Sequence, residues 1–277
     1  MHRGKGKRTA EAAFDDGEAN PQSPFLSMFE SLRDELDEHH DRRERIIKAS
    51  RDITAASKKI IFSLQRVRQV GCAVPKELQQ PKQWETIRNS YDAIAADLQD
   101  INAHRYSHNI TGGNQELMEA ISFQHYLETQ RLITIEESRE KLAAMSSGKH
   151  KVMLTESDYV LGICDMVGEL MRFAITAMAT GGQIAPAASK VNDDDMDTDL
   201  PEPRSVLSDM RELRGYLELL DAGGSSLAKD FGKKMPTMQE CVEKVEKASY
   251  GQVVRGSERP KGWIPDLDDK REELEAV

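Results

Sequence analysis

Aromatic residues are scarce in this chain, with Phe, Tyr and Trp together making up 5% of 277 positions. Sheet formers are too few for a strand-built core, whereas Ala, Leu, Glu, Lys, Arg, Gln and Met, the residues of long helices, dominate. Cysteine is nearly as rare. Cys72, Cys164 and Cys241 are far apart and in no C-x-x-C pair, which excludes a disulfide framework and a zinc site and suits a reducing compartment. A long apolar run is missing as well. The most apolar stretch, 159–179, is interrupted by Asp165, Glu169 and Arg172, so no membrane span is expected, and no apolar segment follows the basic opening as a secretory signal requires. P-loop, G-x-S-x-G, H-E-x-x-H and dinucleotide-binding patterns are all absent, which removes the enzyme classes built on them.

The apolar fraction of 38% is enough for a core, and the net charge of −10 is unevenly spread. Six acids and one lysine fall between Lys190 and Pro203. Between Arg42 and Arg68 the sign reverses, with nine Lys or Arg against Glu44 and Asp52 alone. A basic helix in an acidic protein can track phosphates, and a solvated helix face explains the same pattern equally well.

Residues 1–23 mix Gly, Lys, Arg, Asp and Pro without apolar periodicity and read as a disordered tail, with Arg3 to Arg8 a short basic cluster of the nuclear-import kind. From about Pro24 to Val70, Phe29, Leu32, Leu36, Ile46, Ile53, Ile60, Leu64 and Val67 recur at steps of three and four, which predicts one very long helix, roughly 65 Å at 1.5 Å per residue. After a connection over 71–81, Trp84, Ile87, Tyr91, Ile94, Leu98 and Ile101 trace a second helix, continuing through Thr111-Gly112-Gly113 or stopping there. The segment from Gln115 to Arg131 is apolar on most of its circumference, as in a buried helix, and Thr155 is the expected N-cap of a helix reaching about Met178. An acidic insertion over 181–203 precedes two more helices, from Ser205 to Leu220 and from Ser226 to about Val254, the second kinked or broken at Pro236. The expected architecture is an all-α bundle of about seven helices in one domain over 24–258, with a frayed tail at 259–277.

Chemistry is expected on two of these helices. Glu116 and Glu119 lie one turn apart, with Phe123 and Tyr126 continuing their face. Asp158, Asp165, Glu169 and Arg172 follow at steps of seven, four and three on one face of another helix, opposite Val160, Ile163, Val167, Leu170 and Ala174. If the helices pack together, Glu116, Glu119, Asp165 and Glu169 converge, raise one another's pKa and call for a cation; oxygen ligands favour Mg²⁺ or Mn²⁺ over zinc. The plainer alternative is that these acids face solvent or pair with Arg131, Arg172 or nearby lysines. A di-iron bundle needs Glu-x-x-His on two helices, and no Glu-x-x-His occurs. His39, His40, His104, His108 and His125 each read as packing or surface residues.

Four blocks resemble the translin-associated factor X members of the translin family: EHHDRRERIIKASRDITAASKKIIF over 38–62, QELMEAISFQHY over 115–126, DYVLGICDMVGELMR over 158–172 and VRGSE over 254–258. The likeness covers roughly Phe25 to Pro260 in the same order. It implies a seven-helix translin fold, a hetero-oligomer with translin in a closed octameric shell, and Mg²⁺-dependent endoribonuclease activity on single-stranded RNA. Single-stranded DNA is a further expected ligand, and cytoplasm and nucleus are the expected compartments. Carried over position by position, the family's acids fall on Glu116, Glu119, Asp165 and Glu169. The acidic insertion around Asp193 to Asp199 and the pair Gly112-Gly113 depart from the family's pattern without touching those acids. On this reading Arg42, Arg43, Arg45, Lys48 and Arg51 hold the RNA backbone. A reading from another class makes the chain a non-catalytic helical adaptor that stabilises translin and helps bind nucleic acid; it expects the acids scattered or salt-bridged.

Overall fold

The structure is a computed structural model that describes residues 25–146, 148–181, 204–224 and 227–255. The tails expected over 1–23 and 259–277, all of the acidic insertion except Gly181, and 256–258 of the VRGSE block lie outside them. Two compact units divide the chain, Met1–Arg42 and Arg43–Val277. Eight α-helices and no strand occur among the described residues.

Helix α1 runs from Leu26 to Leu64. In the first unit its stripe is open to solvent, with Phe25, Leu26, Met28, Phe29, Leu32 and Leu36 between 43% and 68% exposed. In the second unit it is buried: Ile46, Ile53, Ile60 and Leu64 are 1% exposed or less, each burial stabilising by about 1.5–3 kcal/mol. The helix expected to reach Val70 ends six residues earlier, at Leu64. Val67 and Val70 are buried even so, in a connection rather than a helical turn. The Arg68 guanidinium donates to the carbonyls of Gln65 and Val67, satisfying acceptors that the helix end leaves open. Gly71, at φ +78°, donates its N–H to the Leu127 carbonyl at 2.8 Å.

A 3₁₀ turn, Lys76–Leu78, leads into α2, Pro81–Ile94, which starts with proline where a missing N–H costs nothing. The stripe expected to carry on to Ile101 breaks here. Leu98 is buried in the following turn, whereas Ile101, in the short α3 (Asp100–Arg105), is 70% exposed. Helix α4, Ser107–Thr129, passes straight through Gly112-Gly113. Gly113 is where α4 meets α1: its N–H donates to Ser50 Oγ at 3.1 Å, and a Cβ there would lie 3.0 Å from the Ser50 carbonyl oxygen. Helix α5, Ile135–Met145, fills a stretch that periodicity left unassigned and opens with a capping box between Thr134 and Glu137.

Helix α6, Glu156–Gly181, begins as expected after Thr155, whose hydroxyl accepts from the Asp158 N–H at 3.0 Å. Helix α7, Val206–Glu218, is capped by Ser205, and α8, Ala228–Arg255, runs through Pro236 as one helix. Helix α6 packs against both α4 and α8, and α7 packs on α8. Cys72, Cys164 and Cys241 are free thiols, the last two buried, and no helix among the described residues is long and apolar enough to cross a membrane.

Gly162 sets the spacing of α4 and α6. A Cβ on it would sit 2.6 Å from Met118 Cβ and 3.0 Å from the Gln115 carbonyl oxygen, closer than atoms tolerate. Gly162→Ala should therefore lower the unfolding free energy by about 1–3 kcal/mol in a denaturant titration, the cost of overpacking a tight core. Gly112→Ala, on α4 but with nothing within 4 Å, should instead gain up to about 1 kcal/mol.

Candidate active site

Helices α4 and α6 present the acids that helical spacing had singled out. Glu116 and Glu119 stand on α4, half-buried, and Asp165 and Glu169 on α6, the latter only 5% exposed. Each of the two glutamates on α4 experiences the charges of Asp165 and Glu169, so the four form one electrostatic group. The Glu119 carboxyl is pushed up from its ordinary 4.5 to about 8, first by burial and then by Glu116, Asp165 and Glu169, with Lys234 partly opposing them. Glu116 is also raised, mainly by burial, against the pull of Lys58.

Three of the four acids carry a basic partner. Lys58 of α1 lies 3.7 Å from Glu116 Oε2, Lys234 of α8 donates to Asp165 Oδ2 at 2.5 Å, and Arg172 pairs with Glu169 one turn along α6. Gln65 adds an amide hydrogen bond to Glu169 Oε2 at 2.7 Å. Glu119 has no such partner among the described residues. Of the partners expected from sequence, Arg172 does pair with the group, whereas Arg131 pairs with Glu137 at 2.6 Å. Among the described residues no three acids, histidines or cysteines are gathered tightly enough to ligate one ion in common.

Asp158, on the same face of α6 in sequence terms, turns out to be a bracket between helices. It is 2% exposed and accepts from Asn114 Nδ2 at 3.1 Å, from Gln115 Nε2 at 3.3 Å and from the Thr111 hydroxyl. The Tyr91 hydroxyl donates to Asn114 in turn, and the Lys234 ammonium reaches Gln115 Oε1 at 3.2 Å. Lys58, Gln65 and Lys234 were not legible as site residues, because each arrives from outside α4 and α6 and nothing local distinguishes it from other lysines and glutamines. Phe123 and Tyr126, which continue the Glu116–Glu119 face by spacing, are core residues, with the Tyr126 hydroxyl donating to Asp209 at 2.7 Å.

The basic residues expected to hold nucleic acid divide. Arg42 pairs with Glu38 at 2.5 Å, and Arg45 makes a two-pronged bridge to Asp97, both hydrogen bonds at 3.0 Å. Arg43, Lys48 and Arg51 are exposed and carry no ion pair among the described residues.

The raised Glu119 has a measurable consequence. Between 4.5 and about 8 the folded chain holds a proton there that the unfolded chain releases, so stability falls as pH rises through that window. In chelator, Glu119→Gln should melt level with the parent near pH 4 and increasingly above it from pH 5 to pH 8. Coincident melting temperatures across that range would show that neither burial nor the other acids raise the Glu119 carboxyl.

Residues 41–256 match the Translin family. The chain is 32% identical over 268 residues to translin-associated protein X of Mus musculus, covering 90% of this chain and 86% of that one. It is 28% identical to the translin-associated protein X homolog of Schizosaccharomyces pombe, covering 83% and 89%, and 24% identical to translin of Gallus gallus, covering 83% and 93%. Among solved structures it is similar to apo-NeC3PO, with a TM-score of 0.53 at 18% identity, covering 83% of this chain and 99% of that one. It is also similar to AfC3PO in a duplex RNA complex, with a TM-score of 0.56 at 16% identity, covering 84% and 100%. On its matched segment and these relatives, the chain belongs to the translin family.

Proposed function

We propose that this chain is the catalytic subunit of a hetero-oligomer with translin, a Mg²⁺-dependent endoribonuclease acting on single-stranded RNA. The observation that carries the reading is Glu119: a carboxyl raised to about 8 by burial and three neighbouring acids, on helices whose spacing is set by Gly162. Lys58, Lys234 and Arg172 each offset one acid, so ionising Glu119 leaves one uncompensated negative charge in the group, which a cation would relieve. Carboxylate oxygens suit Mg²⁺ or Mn²⁺, and Mg²⁺ keeps several waters and takes one or two carboxylates plus phosphate oxygens, so a cage of three protein ligands is not required. Glu116 and Asp165 would hold the ion, with Glu119 and Glu169 completing its field. When bound, the ion supplies a Lewis acid for a phosphoryl oxygen and lowers the pKa of a water.

The remaining work falls to the chain's own groups. Glu119, ionised once a cation offsets the neighbouring acids that raise it, takes the proton of the attacking water on its carboxylate. Gln65 and Arg172 fix Glu169 so that its charge stays in the site. Lys58 and Lys234, which neutralise Glu116 and Asp165, can turn to phosphate oxygens once those acids hold a cation. Arg43, Lys48 and Arg51 are available for backbone phosphates without sequence preference, for RNA and single-stranded DNA alike. The likeness to translin and to C3PO structures supports a translin partner and nucleic-acid processing. The run of exposed apolar residues from Phe25 to Leu36 supplies a surface for a partner subunit in a closed octameric shell.

The ion pairs on Glu116, Asp165 and Glu169 favour a second reading, in which these acids are structural and the chain is an adaptor for translin. Cleavage assays on the complex reconstituted with translin separate the two. Asp165→Ala and Glu119→Gln should each slow cutting of single-stranded RNA by at least about 100-fold, and chelation should silence the parent reversibly. Mg²⁺ should also raise the melting temperature of the parent complex, an effect lost in Asp165→Ala. Cleavage at the parental rate by Asp165→Ala would establish the adaptor.

A further inference from the structure

The last two turns of α1 carry a second feature beside the acids. Lys58, Phe62 and Arg66 are spaced by four, as are Lys59 and Ser63, so the five share a broad face of the helix and the turn that follows it. With Gln80 they line a groove of about 380 Å³. Among the described residues no carboxylate lines it. Lys59 and Arg66 are exposed and carry no ion pair among the described residues. Phe62 is 70% exposed, an aromatic ring standing in water between cations. The far wall belongs to the start of α2, where Gln80 is held in the left-handed region at φ +49° and bonds Ser63 Oγ at 3.3 Å. A non-glycine residue in that region is strained, and such strain gathers at binding sites. The first turn of α2 has no acid, so its positive end is uncompensated.

We infer that this groove is a nucleotide subsite for single-stranded RNA, in which one base stacks on Phe62 and its flanking phosphates lie on Lys59 and Arg66. The volume is at the small end of the range for ligand pockets, about 300–1,000 Å³, which suits one unstacked nucleotide rather than a duplex. A cationic track with an open aromatic face is the recognition chemistry of single strands: the cations follow the backbone, and any base can stack. Lys58 joins the groove to the acids, since it lines one and pairs with Glu116 of the other. The stacked nucleotide therefore sits next to the phosphate to be cut, and its base is splayed out of any helix. This placement rests on the proposed nuclease reading, but binding in the groove does not require cleavage.

Binding is measured on the complex with translin, all forms carrying Glu119→Gln, by fluorescence anisotropy of a labelled oligouridylate across a series of salt concentrations. Phe62→Ala should weaken binding by roughly 5- to 150-fold, the loss of one base–aromatic stack, with the salt slope unchanged. Lys59→Ala with Arg66→Ala should lower the slope of log K against log salt by about 0.7 for each phosphate that no longer meets a cation. A 2-aminopurine placed in the strand should be quenched on binding, and Phe62→Ala should abolish that quenching. Parental affinity, slope and quenching in both variants would overturn the subsite. So would a complex that dissociates in native mass measurement while the RNA affinity of the intact fraction is unchanged, because the groove would then seat a protein segment. Failure of the nuclease reading is visible separately, as RNA cleavage by Glu119→Gln at the parental rate.

Discussion

The distance between α4 and α6 governs everything that follows at the site. Both helices are apolar around much of their circumference, so burial drives them together, and how close they come depends on what stands where they touch. Gly162 has Met118 and the Gln115 carbonyl where a methyl group would be. Asp158, buried and bonded to Thr111, Asn114 and Gln115, braces the same interface with polar links that desolvation makes costly to break. At that separation the acids of the two helices meet in a half-dehydrated setting, where like charges repel more strongly than in water.

The chain's response to that repulsion is selective. Lys58, Lys234 and Arg172 each neutralise one acid, and Gln65 holds the most buried of them. The Lys58–Glu116 and Lys234–Asp165 pairs also tie α1 to α4 and α8 to α6. Arg172–Glu169 lies within α6, where losing Arg172 would leave the buried Glu169 charge with only its amide partner. Glu119 is left with the field of its neighbours and no partner of its own among the described residues, and its carboxyl is the one displaced furthest towards neutrality. The raised Glu119 carboxyl and the close approach of the other three acids arise from the same crowding. Lys58 also faces the groove of Phe62 and Arg66, so the charge that quiets Glu116 borders the surface suited to a strand.

Much of this was legible because it is local. Thr155 and Ser205 start their helices where the pattern placed them, since a side-chain oxygen that caps the third N–H of a helix depends only on neighbouring residues. Other expectations failed for reasons outside the local pattern. The first helix stops at Leu64, although no Gly or Pro intervenes before Val70, because Val67 and Val70 are buried in a connection whose carbonyls meet Arg68 and whose Gly71 amide bonds Leu127. Ile101 fits a helical stripe yet is exposed, because α2 ends at Ile94 and the stripe has no continuous helix to lie on. Phe29, Leu32 and Leu36 also fit a stripe and are solvent-facing.

By itself the sequence determined that this chain is helical, where most of its helices begin, and that Glu116 with Glu119 and Asp165 with Glu169 share faces. Those are consequences of a period of 3.6 residues and of short-range capping. Tertiary structure alone decided which cations meet which acids and which acid is left over. Lys234 and Asp165 are 69 residues apart, and Gln65 and Glu169 are 104 apart, so no periodicity relates them. It likewise turned Asp158 from a member of the acidic stripe into a brace, and placed Phe62 in water beside Lys59. A side chain's partners across a core depend on how closely helices pack, and here that depends on the missing methyl group of Gly162.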